Sequence, residues 1–361
     1  MKTFVRLALA AGSLALAFPA AATTRTEVKP AGAKPAAAPV PDAQMKKVLD
    51  RLATLGGKPT ETLTAEEARK QPTPADAVKA VLTDEGKSTE AEKVAKVENR
   101  TIPGPAGEIP IRVYTPEGKG PFPVVVYFHG GGWVIANLDV YDATPRALAN
   151  KTSAVIVSVE YRQAPENKFP AAHEDSFAAY EWTLKNAASI GGDPARIAVA
   201  GESAGGNLAA AVSMMARDKK VKLPVHELLV YPIAAHDFET PSYKTNADAK
   251  PLNRAMMKWF FENALTDEKD AKDPRISLVS ANLKGLPPTT IVAAEIDPLL
   301  SEGKMLADKL TAAGVRVEYR RYDGVTHEFF GMAAAVDKAK DAQEFAAKGL
   351  QRGFAKSRAA R

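Results

Sequence analysis

The chain has 361 residues, 45% of them apolar and 25% charged, with a net charge of +5. That composition excludes a disordered chain and suits one large α/β domain with appendages or two smaller domains; 48 basic against 43 acidic residues make no nucleic-acid footprint. The absence of cysteine excludes disulfide scaffolds, zinc knuckles, thiol nucleophiles and a lipid-bearing cysteine anchor.

Lys2 and Arg6 supply a positive start, Leu7 to Phe18 a short apolar run, and Ala20-Ala21-Ala22 a small-residue cleavage site. This order predicts a signal peptide over 1–22 and export to the periplasm or the medium. An Ala/Pro-rich stretch predicts a linker over 23–44. Met45, Val48, Leu49, Leu52 and Leu55 then recur at helical spacing. Gly56-Gly57 and Pro72-Thr73-Pro74 would divide the region up to about Ala95 into two or three short helices. No later stretch has the apolar length of a membrane span, so no stable membrane insertion is expected.

From Lys96 onward strands alternate with helices. The strands are expected at Ile109 to Tyr114, Val124 to Phe128, Ala154 to Val159, Ile197 to Ala200, Glu227 to Tyr231, Thr290 to Ala293 and Val315 to Arg321. Amphipathic stretches at 172–188, 204–217, 300–313 and 333–350 predict helices between and after them. Apolar strands followed by helices imply an α/β fold with a mostly parallel sheet covered on both faces. The first two strands, joined around Pro116 to Gly120, are candidates for an antiparallel pair. Residues 235–284 break the rhythm with helices and loops and look like an insertion.

Gly201-Glu202-Ser203-Ala204-Gly205 fits G-x-S-x-G between an apolar strand and a helical run. In that context small neighbours permit a strained strand-to-helix turn that lifts a serine hydroxyl above the sheet, making Ser203 the candidate nucleophile. His129-Gly130-Gly131-Gly132 ends another apolar strand, and its backbone N–H groups, with that of Ala204, would receive an oxyanion. There are only five histidines. The order serine, acid, histidine leaves His226, His236 and His327, and position after the last strand favours His327. Asp297, at the end of an earlier strand, is the candidate acid, with Glu295 and Glu302 as rivals. No GxGxxG, P-loop or HExxH pattern is present, so neither a cofactor nor a metal is expected.

Taken together these motifs resemble the bacterial hormone-sensitive lipase family of α/β-hydrolase carboxylesterases. The resemblance is carried by His129 to Trp133, Tyr161 to Glu166, Phe169 to Ala172, the Ser203 turn, Asp297-Pro298-Leu299 and His327 to Phe330. It implies an α/β-hydrolase domain over 101–361, with a helical cap made from 45–100 and an insertion at about 236–275. It further implies Gly131, Gly132 and Ala204 as oxyanion donors. Trp133, Glu202, Met256, Trp259 and Phe260 become candidate substrate-binding residues. Glu202, Ser301 and Glu328 depart from the family's usual residues. The implied partner is a small-molecule ester, with a homodimer as the candidate assembly. Amide- or peptide-cleaving hydrolysis is the competing reaction class, and a non-enzymatic binding protein on the same fold is the third.

Overall fold

Four of the eight strands in the described residues are short, largely apolar runs, and their composition dictates a sheet buried on both faces. In the computed structural model, which describes Met1, Thr3 and residues 39–359, the strands are β1 (Lys96–Gly104), β2 (Gly107–Thr115), β3 (Phe122–Phe128), β4 (Val155–Val159), β5 (Gly192–Glu202), β6 (Glu227–Val230), β7 (Thr289–Ile296) and β8 (Val317–Thr326). They form one sheet in the order β1-β2-β4-β3-β5-β6-β7-β8. The pairs β1/β2 and β2/β4 are antiparallel and the remaining pairs parallel. Apart from Met1 and Thr3, the expected signal segment lies outside the described residues, as does the linker through Ala38.

The helices are α1 (Ala43–Thr54), α2 (Ala65–Ala68), α3 (Pro74–Asp84), α4 (Ala143–Thr152), α5 (Ala171–Asn186), α6 (Ala204–Asp218), α7 (Pro241–Thr245), α8 (Arg254–Ala264), α9 (Glu268–Lys272), α10 (Leu300–Ala312) and α11 (Asp337–Ala359). The pleat of β3 sorts its side chains between two cores. Val124, Val126 and Phe128 belong to one core with Phe177, Leu208 and Leu306 from α5, α6 and α10. Val125 and Tyr127 belong to the other, with Met45, Leu148 and Ala342 from α1, α4 and α11. Among the described residues, no helix is long and apolar enough to cross a membrane.

Three expectations change. The strands at 109–114 and 124–128 are not paired, because β4 lies between β2 and β3. The hairpin partner of β2 is β1, in register from Lys96 opposite Thr115 to Gly104 opposite Gly107. Its largely exposed, polar sequence KVENRTIPG has no apolar run to mark the strand. The last residues of the 45–100 segment therefore belong to the sheet. At the other end of that segment, α1 starts within the expected linker, with the Asp42 side chain accepting the Met45 N–H at 2.9 Å.

Every parallel strand points its C-terminal end to the same edge, the edge at which open α/β sheets bind ligands. His129, Ser203, Tyr231, Asp297 and His327 directly follow β3, β5, β6, β7 and β8. At this edge the start of α6 closes tightly on β3: a Cβ on Gly205 would lie 1.9 Å from the Phe128 carbonyl oxygen. Gly205→Ala should consequently cost about 3 kcal/mol in urea unfolding. Gly303→Ala in α10, whose Cβ would meet its nearest neighbour at 3.9 Å, should instead stabilise by about 0.5–1 kcal/mol.

Candidate active site

Ser203 occupies the turn between β5 and α6 at φ 57° and ψ −118°, backbone angles far from both the strand and the helix. The strain is held by its surroundings. Its N–H donates to the Val230 carbonyl at 2.9 Å, and its own carbonyl accepts from Asn207 N at 3.1 Å and Ile233 N at 3.2 Å. Ala204 is the first residue of α6, so its N–H belongs to the helix's orphan donors and is free of the intrahelical ladder.

His327 and Asp297 are both buried, and His327 Nδ1 lies 2.6 Å from Asp297 Oδ2. Asp297 is fixed in turn: its other oxygen accepts the Leu299 N–H at 2.8 Å, and its carbonyl accepts from Asn246 Nδ2 at 3.0 Å. The Tyr231 ring packs 4.4 Å from the imidazole. Burial works against the imidazolium, yet the negative charge of Asp297, with Glu328 and Glu202 behind it, lifts the His327 pKa above its ordinary value. The rival acids are engaged elsewhere. Glu295 accepts the Gly324 N–H at 2.7 Å, and Glu302 the Ala234 N–H at 2.7 Å. Of the other candidate histidines, His226 faces Thr290 at 3.0 Å and His236 packs edge-on against Phe238 and Phe261.

Ser203 and His327 line one cavity of about 570 Å³, and no hydrogen bond joins their side chains. Gly131 and Gly132 line it too, at φ 96° and 59°, angles open to glycine at little cost. Substitution at Gly132 is blocked twice, since its Cβ would fall 2.2 Å from the Phe260 ring. The outer walls come from two stretches remote in sequence. One includes Leu49, Leu52, Arg69 and Pro72; the other includes Leu252, Met256 and Phe260. Arg69 fastens the first stretch to the hydrolase body through the Val134 and Ala164 carbonyls, at 2.8 and 2.7 Å, and a forked pair with Glu166.

Comparison with known proteins agrees with this fold. A family profile described as alpha/beta hydrolase fold matches residues 125–331. Carboxylesterase NlhH of Mycobacterium tuberculosis is 42% identical over 254 residues, 68% of this chain and 79% of that protein. The chain belongs to the hormone-sensitive lipase family of α/β-hydrolases. Among solved structures, a thermostable esterase from Pseudomonas putida superposes with a TM-score of 0.79 at 36% identity, covering 88% of this chain and 98% of that one. An esterase from Pyrobaculum calidifontis gives a TM-score of 0.77 at 34% identity, with 87% and 99% covered.

Within this hormone-sensitive lipase fold, three of the expected substrate contacts do not reach the cavity. Trp133 is a core residue, its ring 5.7 Å from Phe261 and 6.1 Å from His173. Glu202 is fully buried, where the Tyr127 hydroxyl donates to it at 2.6 Å and Tyr231 also donates. Burial, helped by the charge of Glu328, pushes its pKa up to about 7. Trp259 is buried with its indole N–H donating to the Leu63 carbonyl at 3.0 Å, which joins α8 to the N-terminal stretch. The burial of these three residues is real; the direction of the side chain is what sequence did not disclose. Conversely, Tyr141 and Glu328 line the cavity without having been expected there. Only the departure at Glu328 from the family's usual residue hinted at it. Trp259→Ala should therefore cost about 3–5 kcal/mol of stability, while the ranking of substrates by size, read in a competition assay on the folded fraction, stays as in the wild type.

Proposed function

We propose that this chain is a serine carboxylesterase acting on esters of short to medium acyl length. The observation that supports it best is the convergence of Ser203, His327 and the glycine loop on one cavity, with Asp297 hydrogen-bonded to the imidazole behind them. Ser203 Oγ attacks the ester carbonyl while His327 Nε2 takes its proton. The oxyanion that forms is met by the N–H groups of Gly131, Gly132 and Ala204. Nε2 then hands the proton to the departing alcohol, leaving an acyl group on Ser203, which water removes by the same steps. Asp297 holds the ring orientation and the positive charge. Since only neutral His327 can accept the proton, turnover falls as pH drops below its raised pKa.

The stretches that wall the cavity are the reason for the chain-length reading. We read 45–95 and about 236–275 as a cap, with Leu49, Leu52, Met256 and Phe260 forming a bounded apolar wall. Each methylene buried there is worth about 0.8 kcal/mol, roughly fourfold in kcat/KM, until the wall is met. On a panel of p-nitrophenyl esters, kcat/KM should rise to an optimum near four to eight acyl carbons and then fall. Ser203→Ala should lose fluorophosphonate labelling and at least about 10⁴-fold in kcat. A rate climbing steadily to sixteen carbons would reject the bounded cavity. Labelling without turnover of any ester would reject the ester reading in favour of an amide substrate.

The N-terminal pattern supports export as a second element of the proposal. The mature protein recovered from periplasm or medium should begin close to Thr23, read by N-terminal sequencing. An intact Met1 on active cytoplasmic protein would contradict it.

A further inference from the structure

Glu328 follows His327 and sits at φ 71°, in the left-handed region that glycine occupies freely and glutamate does not. Strain of this kind persists only where neighbours hold it, and it gathers at functional sites. The holder is Tyr141, whose hydroxyl lies 2.7 and 2.8 Å from the two carboxylate oxygens. Room for that hydroxyl is made by the glycine loop: a Cβ on Gly130 would fall 2.2 Å from it. The Glu328 side chain is 22% exposed and lines the cavity, with Oε1 4.0 Å from His327 Nε2. Nδ1, on the opposite side of the ring, is already bound to Asp297.

We propose that Glu328 is a positioning residue for His327, holding the Nε2 edge and its positive charge from the cavity side while Asp297 holds Nδ1. The inference rests on His327 being the base of the reaction proposed above. As the Oγ–C bond forms and the carbonyl pair moves to oxygen, the Ser203 proton arrives at Nε2. The imidazolium then stands between two carboxylates until that proton leaves with the alcohol as the ester C–O bond breaks. Glu328 forms no bond and exchanges no proton in these steps. Its own pKa is raised by burial and drawn back by the charge of His327.

The other groups facing this ring come from several elements. Asp297 lies after β7, Glu202 at the end of β5, Tyr231 after β6 and Ser203 on the turn. Farther out, Glu61, Glu160, Lys58 and Lys250 line the same cavity, along with Arg69, which Glu166 neutralises. Glu328 is the carboxylate set against Nε2, so its removal has a specific signature.

The full-length protein with isotope-labelled histidine, titrated by NMR without substrate, provides the test. The His327 midpoint should fall by about one unit in Glu328→Gln relative to wild type. Glu328→Gly, which suits the left-handed backbone, should fall likewise and guards against a folding defect. In both variants the acid limb of kcat/KM for a short neutral ester should move to lower pH with KM unchanged. A midpoint that stays put or rises in both would overturn the role of Glu328. Failure of the wild type to turn over any ester would instead sink the reading of the site, and the titration distinguishes the two because it needs no substrate.

Discussion

The contact on which the site depends is the close approach of two backbones, Gly205 against the carbonyl of Phe128. It brings the start of α6 directly over the end of β3, so that the glycine loop following β3 and the serine preceding α6 share one cavity. A side chain at 205 would separate them by the thickness of a methyl group. Hydrogen-bond donors intended for a developing charge act only when fixed within a few tenths of an ångström. The packing of two main chains fixes distances more firmly than any pair of side chains, which keep rotamers to choose from.

Around that contact the structure keeps Asp297, Glu202 and Asn207 out of water, and each of the three has partners. Asp297 takes the Leu299 amide as well as the imidazole. Glu202 is held by two tyrosine hydroxyls. Asn207 on α6 ties the Ile233 and Ile276 carbonyls, at 3.0 Å each, and meets His173 Nε2 at 3.0 Å. Buried groups left unpaired would cost about 1–3 kcal/mol each. Paired, they make the edge of the sheet stiff where the rest of the domain relies on apolar packing.

The sequence disclosed the chemistry better than the packing, for a physical reason. A strained serine turn, a run of three glycines and strand-end acid and histidine residues are local requirements, written within a few residues of the group they serve. Strand β1 escaped notice because one face of an edge strand can be polar throughout, and α4 because its apolar stripe is interrupted by Arg146, Asn150 and Lys151. Trp133, Trp259 and Glu202 were expected in the cavity, but burial by itself does not say which void a residue faces. Tyr141 and Glu328 lie 187 positions apart, and nothing short of the folded chain brings them together.

The tie between Trp259 and the Leu63 carbonyl has a consequence for how such a protein diversifies. The cavity's outer surface is borne by 49–74 and 250–260, whereas the serine turn, the glycine loop and the acid–histidine pair sit on the ends of sheet strands. Leu49, Leu52 and Met256 can therefore change in size under selection for a new ester at positions outside the strand ends that carry the serine, acid and histidine. The Trp259 link makes the two outer stretches inherit such changes jointly. A lineage exchanging one stretch alone would have to keep the indole of Trp259, while the acceptor at Leu63, a main-chain carbonyl, survives any side-chain change there.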